Sequence, residues 1–486
     1  MAKTLKKLTI DAMLWNTIQR FSVLVIQFVS TIVLARLLMP ADFGVIAMLN
    51  IFIVVSNVFI DGGLGAALIQ KKNITDIDYS TAFCWNLVLS ILLSVILFIT
   101  APKIAEFYKM PILVNVLRVQ SSLLIINSFS VIPTSFLMKA MRFKTLAIRY
   151  IIAALIGTVI AVILALNNFG VWSLVWSNIV SKIAGVVLLW SLSPFKPSLK
   201  FNKKSLISLF SFGGLVMFSN IIEKLYTNIQ ALIIGRLFSA DDLGYYSKAY
   251  SVQQIPAGSL STVISSVAFP ALSSLQENKN SFYRNFVIMI KSIAFLSFPI
   301  MVLLIVIAQP FFVLLFTEKW IDSVPYFQIL CLYGMFFTLI TVNNNVSKAL
   351  GKGKLFFCIK LIERIIGIIF ILIGIRFGII GMLWGMVFSA FFSYLIGVFF
   401  NNQLIQYGFW KQIKDIGSYF LLSLMIGLVT YYLGSALGIS SNFIKIIVLG
   451  SFYITAYLVI SYLLKMEGLK IYYDIIKNKL KSVLNG

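Results

Sequence analysis

An all-α polytopic membrane protein, with about fourteen transmembrane helices in two pseudo-twofold-related lobes, is predicted by three observations. The composition is 60% hydrophobic and only 12% charged, where a soluble domain is nearer ~45–50% apolar and ~25% charged. Basic residues collect in alternate connections between long apolar runs, as expected when those connections stay on the cytoplasmic side. Finally, a turn sequence recurs: Leu34-Ala-Arg-Leu-Leu-Met-Pro-Ala-Asp-Phe-Gly44 returns as Ile234-Gly-Arg-Leu-Phe-Ser-Ala-Asp-Asp-Leu-Gly244. Arg36, Leu37, Asp42 and Gly44 are matched at a constant offset by Arg236, Leu237, Asp242 and Gly244.

A span needs roughly 20 apolar residues. Windows of that size give spans at 13–36, 43–66, 79–101, 113–138, 146–166, 170–192, 208–236, 243–273, 284–308, 325–348, 355–376, 378–402, 413–436 and 443–465. Lys3, Lys6 and Lys7 precede the first span and hold the amino terminus in the cytoplasm. That span lacks a small-residue cleavage site and is interrupted by Arg20 and Gln27, so no cleavable signal peptide is expected. The cytoplasmic connections then carry Lys71/Lys72, Lys139/Arg142/Lys144, Lys196/Lys200/Lys203/Lys204, Lys279/Arg284, Lys348/Lys352/Lys354 and Lys411/Lys414. The weakest point of this alternation is 101–112, where Lys103 and Lys109 face only Glu106. Alternation along the whole chain fits an even number of spans with both termini inside.

The Pro- and Lys-rich connector after span six divides the chain. The expected organisation is 1–193 as the first lobe, 194–205 as a cytoplasmic linker, 206–402 as the second lobe, 403–465 as two added spans and 466–486 as a basic cytoplasmic tail. Each copy of the repeated turn ends one apolar run and begins the next. The Asp is placed to cap the following helix, and the Gly is free to take angles that other residues avoid. In the tail, Leu469, Tyr473, Ile476, Leu480 and Val483 fall at helical spacing among lysines. Two readings stand for it: a helix lying on an anionic membrane surface, or a frayed basic end.

Several function classes lose their residues. The net charge of +24 sits in loops and not on a soluble basic domain, so no nucleic-acid partner is expected. There is no His, and Cys84, Cys331 and Cys358 stand far apart. Metal sites and His-based catalysis therefore lack their usual groups, and neither a cofactor nor enzymatic activity is expected.

Polar residues inside the spans form stripes. At ~100° per residue, Asn16, Arg20, Gln27 and Thr31 of the first span fall within about 60° of one another. In the second span Asn50, Asn57 and Asp61 fall within about 40°. The repeat supplies Asn220, Lys224 and Thr227, with Glu223 at the stripe's edge, and then Tyr250, Gln254, Ser261 and Ser265. An ionised Arg, Lys or Asp at mid-membrane costs about 2.5–3.5 kcal/mol on insertion scales. Matched polar stripes therefore predict a wet cavity lined by spans one, two, seven and eight, against the competing reading of interhelical hydrogen bonds within the bundle. Lys182, Lys291, Glu363 and Arg364 lie deep in other spans, with Lys291 near enough to an end to reach the interface. The interior surplus is cationic, which favours an anionic cargo and phosphate above all. The candidate cargo-binding residues are Arg20, Lys224, Lys182, Arg364, Asn16, Gln27, Asn57, Asn220 and Gln254. Glu223 and Asp61 are the candidate coupling carboxylates. Asp61, followed by Gly62-Gly63-Leu64-Gly65, has an alternative role in capping a broken helical turn.

The chain resembles the Wzx-type polysaccharide flippases of the multidrug/oligosaccharidyl-lipid/polysaccharide (MOP) exporter superfamily, in the branch of the colanic acid exporter. The resemblance rests on Ala35-Arg36 with Phe43-Gly44, Asp61-Gly-Gly-Leu-Gly65, Leu137-Met-Lys-Ala-Met-Arg-Phe-Lys144, Asn228, Arg236, Gly244, Tyr246, Tyr250, Phe269-Pro-Ala-Leu272 and Phe316-Thr-Glu-Lys-Trp320. It implies a two-lobed bundle that opens alternately to either side of a bacterial cytoplasmic membrane. The implied cargo is an undecaprenyl-diphosphate-linked glycan. Membrane lipids, a polysaccharide polymerase and chain-length machinery are the implied partners. The alternatives are a drug or metabolite antiporter of the same superfamily, which needs buried acids, and a membrane polysaccharide polymerase, which needs a sizeable outer loop.

Overall fold

The computed structural model describes residues 2–195 and 198–484. Lys196 of the predicted cytoplasmic cluster, and the side chains of Lys3, Lys6, Lys7, Ile476, Leu480 and Val483, lie outside what is described. Every apolar run becomes a helix, because in hydrocarbon only intrasegment hydrogen bonds can satisfy the backbone. Thirteen described helical segments are long and apolar enough to cross a membrane, and one of them, Gly353–Ile405, is 53 residues long. That segment is two helices joined by a 3₁₀ turn at Ile375–Phe377, which restores fourteen spans in the predicted order.

Packing divides the chain into two compact units, 1–247 and 248–486. The first contains α1 (Ala2–Leu37), α2 (Pro40–Asp61), α3 (Leu64–Gln70), α4 (Asp76–Tyr108), α5 (Ile112–Lys139), α6 (Phe143–Leu166), α7 (Val171–Leu192), α8 (Lys203–Leu237) and the start of α9 (Ala240–Ser273). Helix α1 packs along α6, α4 pairs with α5, α6 pairs with α7, and α8 lies against α2, α3 and α4.

The predicted second span is two helices. Gly62 and Gly63 adopt φ of 56° and 67°, the left-handed region in which a side chain is strained. A Cβ on Gly63 would stand 2.1 Å from the Gly213 carbonyl oxygen, so the break is also where α8 comes closest. The described residues of the connector before α8 dock around α4. Phe195 is buried against Tyr79 and Phe136. Ser198 N donates to Ser80 Oγ at 3.2 Å, and Asn202 N donates to Thr81 Oγ1 at 3.1 Å. Asn202 Oδ1 then caps α8 by accepting from Lys204 N and Ser205 N. Asp78, in the first turn of α4, accepts from Ser205 Oγ and pairs with Lys71 at 2.9 Å. Lys139 donates to the carbonyls of Leu68 and Lys71.

The second unit holds the rest of α9 with α10 (Lys279–Val306), α11 (Ala308–Phe316), α12 (Ser323–Ala349), α13 (Gly353–Gly374), α14 (Gly378–Ile405), α15 (Phe409–Ala436), α16 (Asn442–Leu463) and α17 (Glu467–Leu484). Gly374 and Gly381 let α13 and α14 touch: a Cβ on either would lie within 2.5 Å of the other's carbonyl oxygen. Gly385 fits against Phe370 O, so Gly381 and Gly385 both serve packing inside the unit. Asn343 Oδ1 accepts from Asn401 Nδ2 at 2.7 Å and from Gln412 Nε2 at 3.2 Å, joining α12, α14 and α15. Phe316-Thr-Glu-Lys-Trp320 is a packing motif. Trp320 and Phe316 are fully buried, and the Lys248 ammonium stands 4.8 and 5.4 Å from their ring centres.

Lys291 forms ion pairs with Asp415 at 2.9 Å and Glu467 at 2.6 Å, tying α10 to α15 and to the first turn of α17. Gly468 N donates to Tyr419 Oη and Tyr472 Oη donates to Ser292 O, so the amino-terminal half of the predicted tail helix is docked on protein.

Candidate functional site: a polar, cationic inner face

The two recurring turns meet within the first unit. A Cβ on Gly44 would lie 1.9 Å from Ala240 O, and a Cβ on Gly244 would lie 2.0 Å from Pro40 O. Each glycine thus receives the opening residue of the other copy's helix, a reciprocal contact that only glycine permits. The Asp of each copy is not the N-cap but the third helical residue. Asp42 Oδ2 accepts from Met39 N at 3.0 Å. Asp242 Oδ2 accepts from Ser239 N, while Asp242 N donates to Ser239 Oγ at 3.0 Å, completing a reciprocal capping box. The helices begin one turn earlier than the sequence suggests, at Pro40 and Ala240. Proline suits a first helical position because its missing N–H is not needed there. Arg236 lies 5.0 Å from the ring centre of Phe107, whereas Arg36 is exposed.

Below this seam the polar stripe of α2 meets its neighbours. Asn50 Nδ2 donates to Asn228 Oδ1 of α8 at 3.3 Å. Asn57 Oδ1 accepts from Asn127 Nδ2 of α5 at 2.8 Å, and Asn57 Nδ2 returns to Ile53 O. Asp61 Oδ1 accepts from Gly65 N at 3.3 Å, the first-turn cap of α3. Of its two sequence readings, capping a broken turn is therefore the one with a visible partner.

The remaining candidates are accessible. On α1, Asn16, Arg20 and Gln27 form an exposed polar stripe well separated around the helix from exposed Ile18, Val25 and Val29. On α8, Glu223 and Lys224 are exposed and Asn220 half-buried. Lys224 shares its side of the helix with buried Gly213 and Gly235, and lies opposite exposed Leu215 and Ile222. Among the described residues neither Glu223 nor Lys224 has an ion-pair partner. Arg20 and Lys224 stand on helices with different packing partners, α6 for the first and α2–α4 for the second. Gln254 and Arg364 are half-buried residues of the second unit. Glu363 beside Arg364 is buried, pairing with Lys360 at 2.7 Å and accepting from Asn344 Nδ2.

The sequence reading passed over Arg149. It lies on α6 at only 4% exposure; its Nε donates to Gly185 O at 3.0 Å, its Nη1 donates to Thr134 Oγ1 at 2.9 Å, and its guanidinium stacks 4.6 Å from the Tyr150 ring centre. Its signal was present, since it begins the small-residue stripe Ala153, Gly157, Ala161, Ala165 at four-residue spacing. Lys182 of α7, three residues before Gly185, is within Coulombic reach of it. The first unit therefore offers accessible amides together with Lys182 and Lys224, for which the described residues show no ion pair. Such groups have the chemistry to hold an anion.

A family described as "Polysaccharide biosynthesis protein" matches residues 33–325. The chain belongs to that family. Within it, the chain is 27% identical over 345 residues to the teichuronic acid biosynthesis protein TuaB of Bacillus subtilis, covering 71% of each chain. It is 26% identical over 358 residues to the lipopolysaccharide biosynthesis protein WzxC of Escherichia coli, covering 71% of this chain and 70% of that one. The fold is that of a solved inward-closed lipid II flippase, MurJ, with a TM-score of 0.77 at 17% identity over 96% of this chain and all of that one. This polysaccharide biosynthesis protein is thus a multi-pass membrane protein with a MOP-superfamily fold, as the resemblance implied.

Proposed function

We propose that this polysaccharide biosynthesis protein is a flippase. It moves an undecaprenyl-diphosphate-linked oligosaccharide from the inner to the outer leaflet of the bacterial cytoplasmic membrane, for surface polysaccharide assembly. The carrying observation is the pairing of family with architecture: a polysaccharide biosynthesis family member folded along nearly its whole length like a lipid II flippase. The basic residues of the first unit support a diphosphate head group as the part held, with Arg20, Lys224 and Lys182 as its cationic contacts. In this reading both termini are cytoplasmic, the cargo is exposed first to one side of the membrane and then to the other, and the glycan is released to a polymerase and chain-length machinery.

An antiporter would need free buried acids. Asp61 and Glu363 already have partners within the protein, which leaves Glu223 as the candidate coupling carboxylate.

Deleting the gene should leave lipid-linked glycan in the inner leaflet, and a variant with Arg20→Ala and Lys224→Ala should restore insertion but not export. Both are read by labelling the accumulated intermediate and the surface polysaccharide. Normal surface polysaccharide in the double variant would overturn the assignment of these cations; normal surface polysaccharide in the deletion strain would overturn the flippase reading itself.

A further inference from the structure

Helices α7 and α14 are counterparts, each entered through a Phe-Gly pair, Phe169-Gly170 and Phe377-Gly378. The connectors that leave them differ. Three residues, 406–408, join α14 to α15, whereas ten, 193–202, join α7 to α8. The longer connector has one apolar anchor: Phe195 is buried 5.7 Å from the ring centre of Tyr79 and 5.4 Å from that of Phe136. From a fixed Phe195, the seven residues to Asn202 can reach about 23–25 Å. The start of α8 therefore has room to move once the contacts in between are undone.

Downstream of Phe195, hydrogen bonds hold the connector to the first turns of α4. Ser198 N donates to Ser80 Oγ, and the two hydroxyls stand 2.9 Å apart. Asn202 N donates to Thr81 Oγ1, and Ser205 Oγ donates to Asp78 Oδ1. Ser198 and Asn202 are exposed, while Asp78, Ser80 and Thr81 are buried beneath them. What is covered is thus two hydroxyls and a carboxylate, and water can replace every bond that they would lose. Asp78 would keep Lys71 as its ion partner, so opening strands no charge. Deeper in the same unit, Leu64, Leu68, Phe83 and Ile132 form an apolar cluster, a contact that water opposes breaking. The repeat does not dictate where α8 sits either. Its copy α1 packs along α6, whereas α8 lies on α2, α3 and α4.

We infer that the segment from Ser198 to Ser205 is a releasable strap, anchored at Phe195, whose opening frees the first turn of α8 from α4 during transport. In this structure it is fastened. Alternating exposure of a cargo requires contacts that exist in one state and not in another. A polar, slack connector over hydroxyl-bearing residues is such a contact. The inference rests on the flippase reading only for the transport cycle; the opening itself rests on the connector's own bonds and length.

Thiol labelling of the full-length protein in native membranes tests the opening, in a background carrying Cys84→Ala, Cys331→Ala and Cys358→Ala. Labelling of a buried thiol tracks the population of the open form, so Ser80→Cys should react with a polar maleimide at least about tenfold faster than Ser297→Cys. Ser297 is the reference because it is fully buried against Thr338, away from the connector. Equal rates at the two positions overturn the strap. Export is read next, with Ser80→Cys and Ser198→Cys joined by a short bis-maleimide that survives a reducing cytoplasm. Surface polysaccharide should be lost in the cross-linked double variant and kept in either single variant treated alike. Undiminished polysaccharide at full cross-linking overturns the strap's part in transport. Thermal melting identifies variants that fold, and Thr81→Cys with Asn202→Cys closes the same strap at a second point. A deletion strain with normal surface polysaccharide would sink the flippase reading alone, and the labelling rates would still decide whether the strap opens.

Discussion

The two helix pairs that share a turn sequence, α1–α2 and α8–α9, begin alike and then diverge. Both turns place an Asp in the first helical turn and a Gly two residues later, and each Gly admits the other copy's backbone. Past the turn, α2 breaks at Gly62-Gly63, whereas α9 runs unbroken through the equivalent Thr262-Val263 to Ser273. Asp61 caps the new helix after the break; Ser261, its counterpart, is buried with no hydrogen-bond partner for its hydroxyl. Duplication thus preserves what a short local sequence specifies, the cap and the close approach. The later course of each helix follows its own residues.

The largest effect expected from breaking this comparison is at the reciprocal seam. Gly44→Ala and Gly244→Ala should each destabilise the protein by about 1–3 kcal/mol, since the added methyl overlaps a backbone carbonyl that cannot swing away. Thermal unfolding in detergent checks this, and a penalty at only one of the two positions would show that the contact is not reciprocal. The double variant should cost less than the sum, because one displacement of the helices relieves both overlaps.

Next comes the break that distinguishes α2 from α9. Gly63→Ala meets both a left-handed backbone, worth about 1–2 kcal/mol, and the Gly213 carbonyl. Val263→Ala, at the equivalent point of an intact helix, should be close to neutral. Equal melting temperatures for the two variants would mean that the break is not held by its glycines.

The smallest effects concern the caps. Ser239→Ala removes the hydroxyl half of the box in the second copy and should cost about 0.5–2 kcal/mol. Met39→Ser supplies that half to the first copy and should raise stability by some tenths of a kcal/mol up to about 1 kcal/mol. If Met39→Ser is destabilising, the two turns are not interchangeable even over their first four residues.

How far the sequence could be read depended on how local each feature is. The span order, the loop charges and the Asp61-Gly-Gly break were legible because each is a property of neighbouring residues. Asp42 and Asp242 were placed one turn too early in the helix, since a residue that accepts from the helix's first N–H groups can sit at the cap or three residues inside it. The two ion pairs of Lys291 were not legible because Asp415 and Glu467 are more than a hundred residues away along the chain. Arg149 was passed over although its small-residue stripe was visible. Periodicity announces a packing face but does not name the helix that will meet it.

By itself, then, the sequence determined an ordered set of membrane helices, two copies of one turn and an excess of basic residues. Hydrogen-bond closure within a helix and transfer from water to hydrocarbon are decided residue by residue along the chain. The tertiary structure alone decided that α8 packs with the first unit, that Lys291 binds two distant acids, and that Arg149 of α6 donates to Gly185 O of α7. Those outcomes depend on how each helix is rotated about its axis and which neighbour it meets, and both are set by side-chain packing between segments remote in sequence.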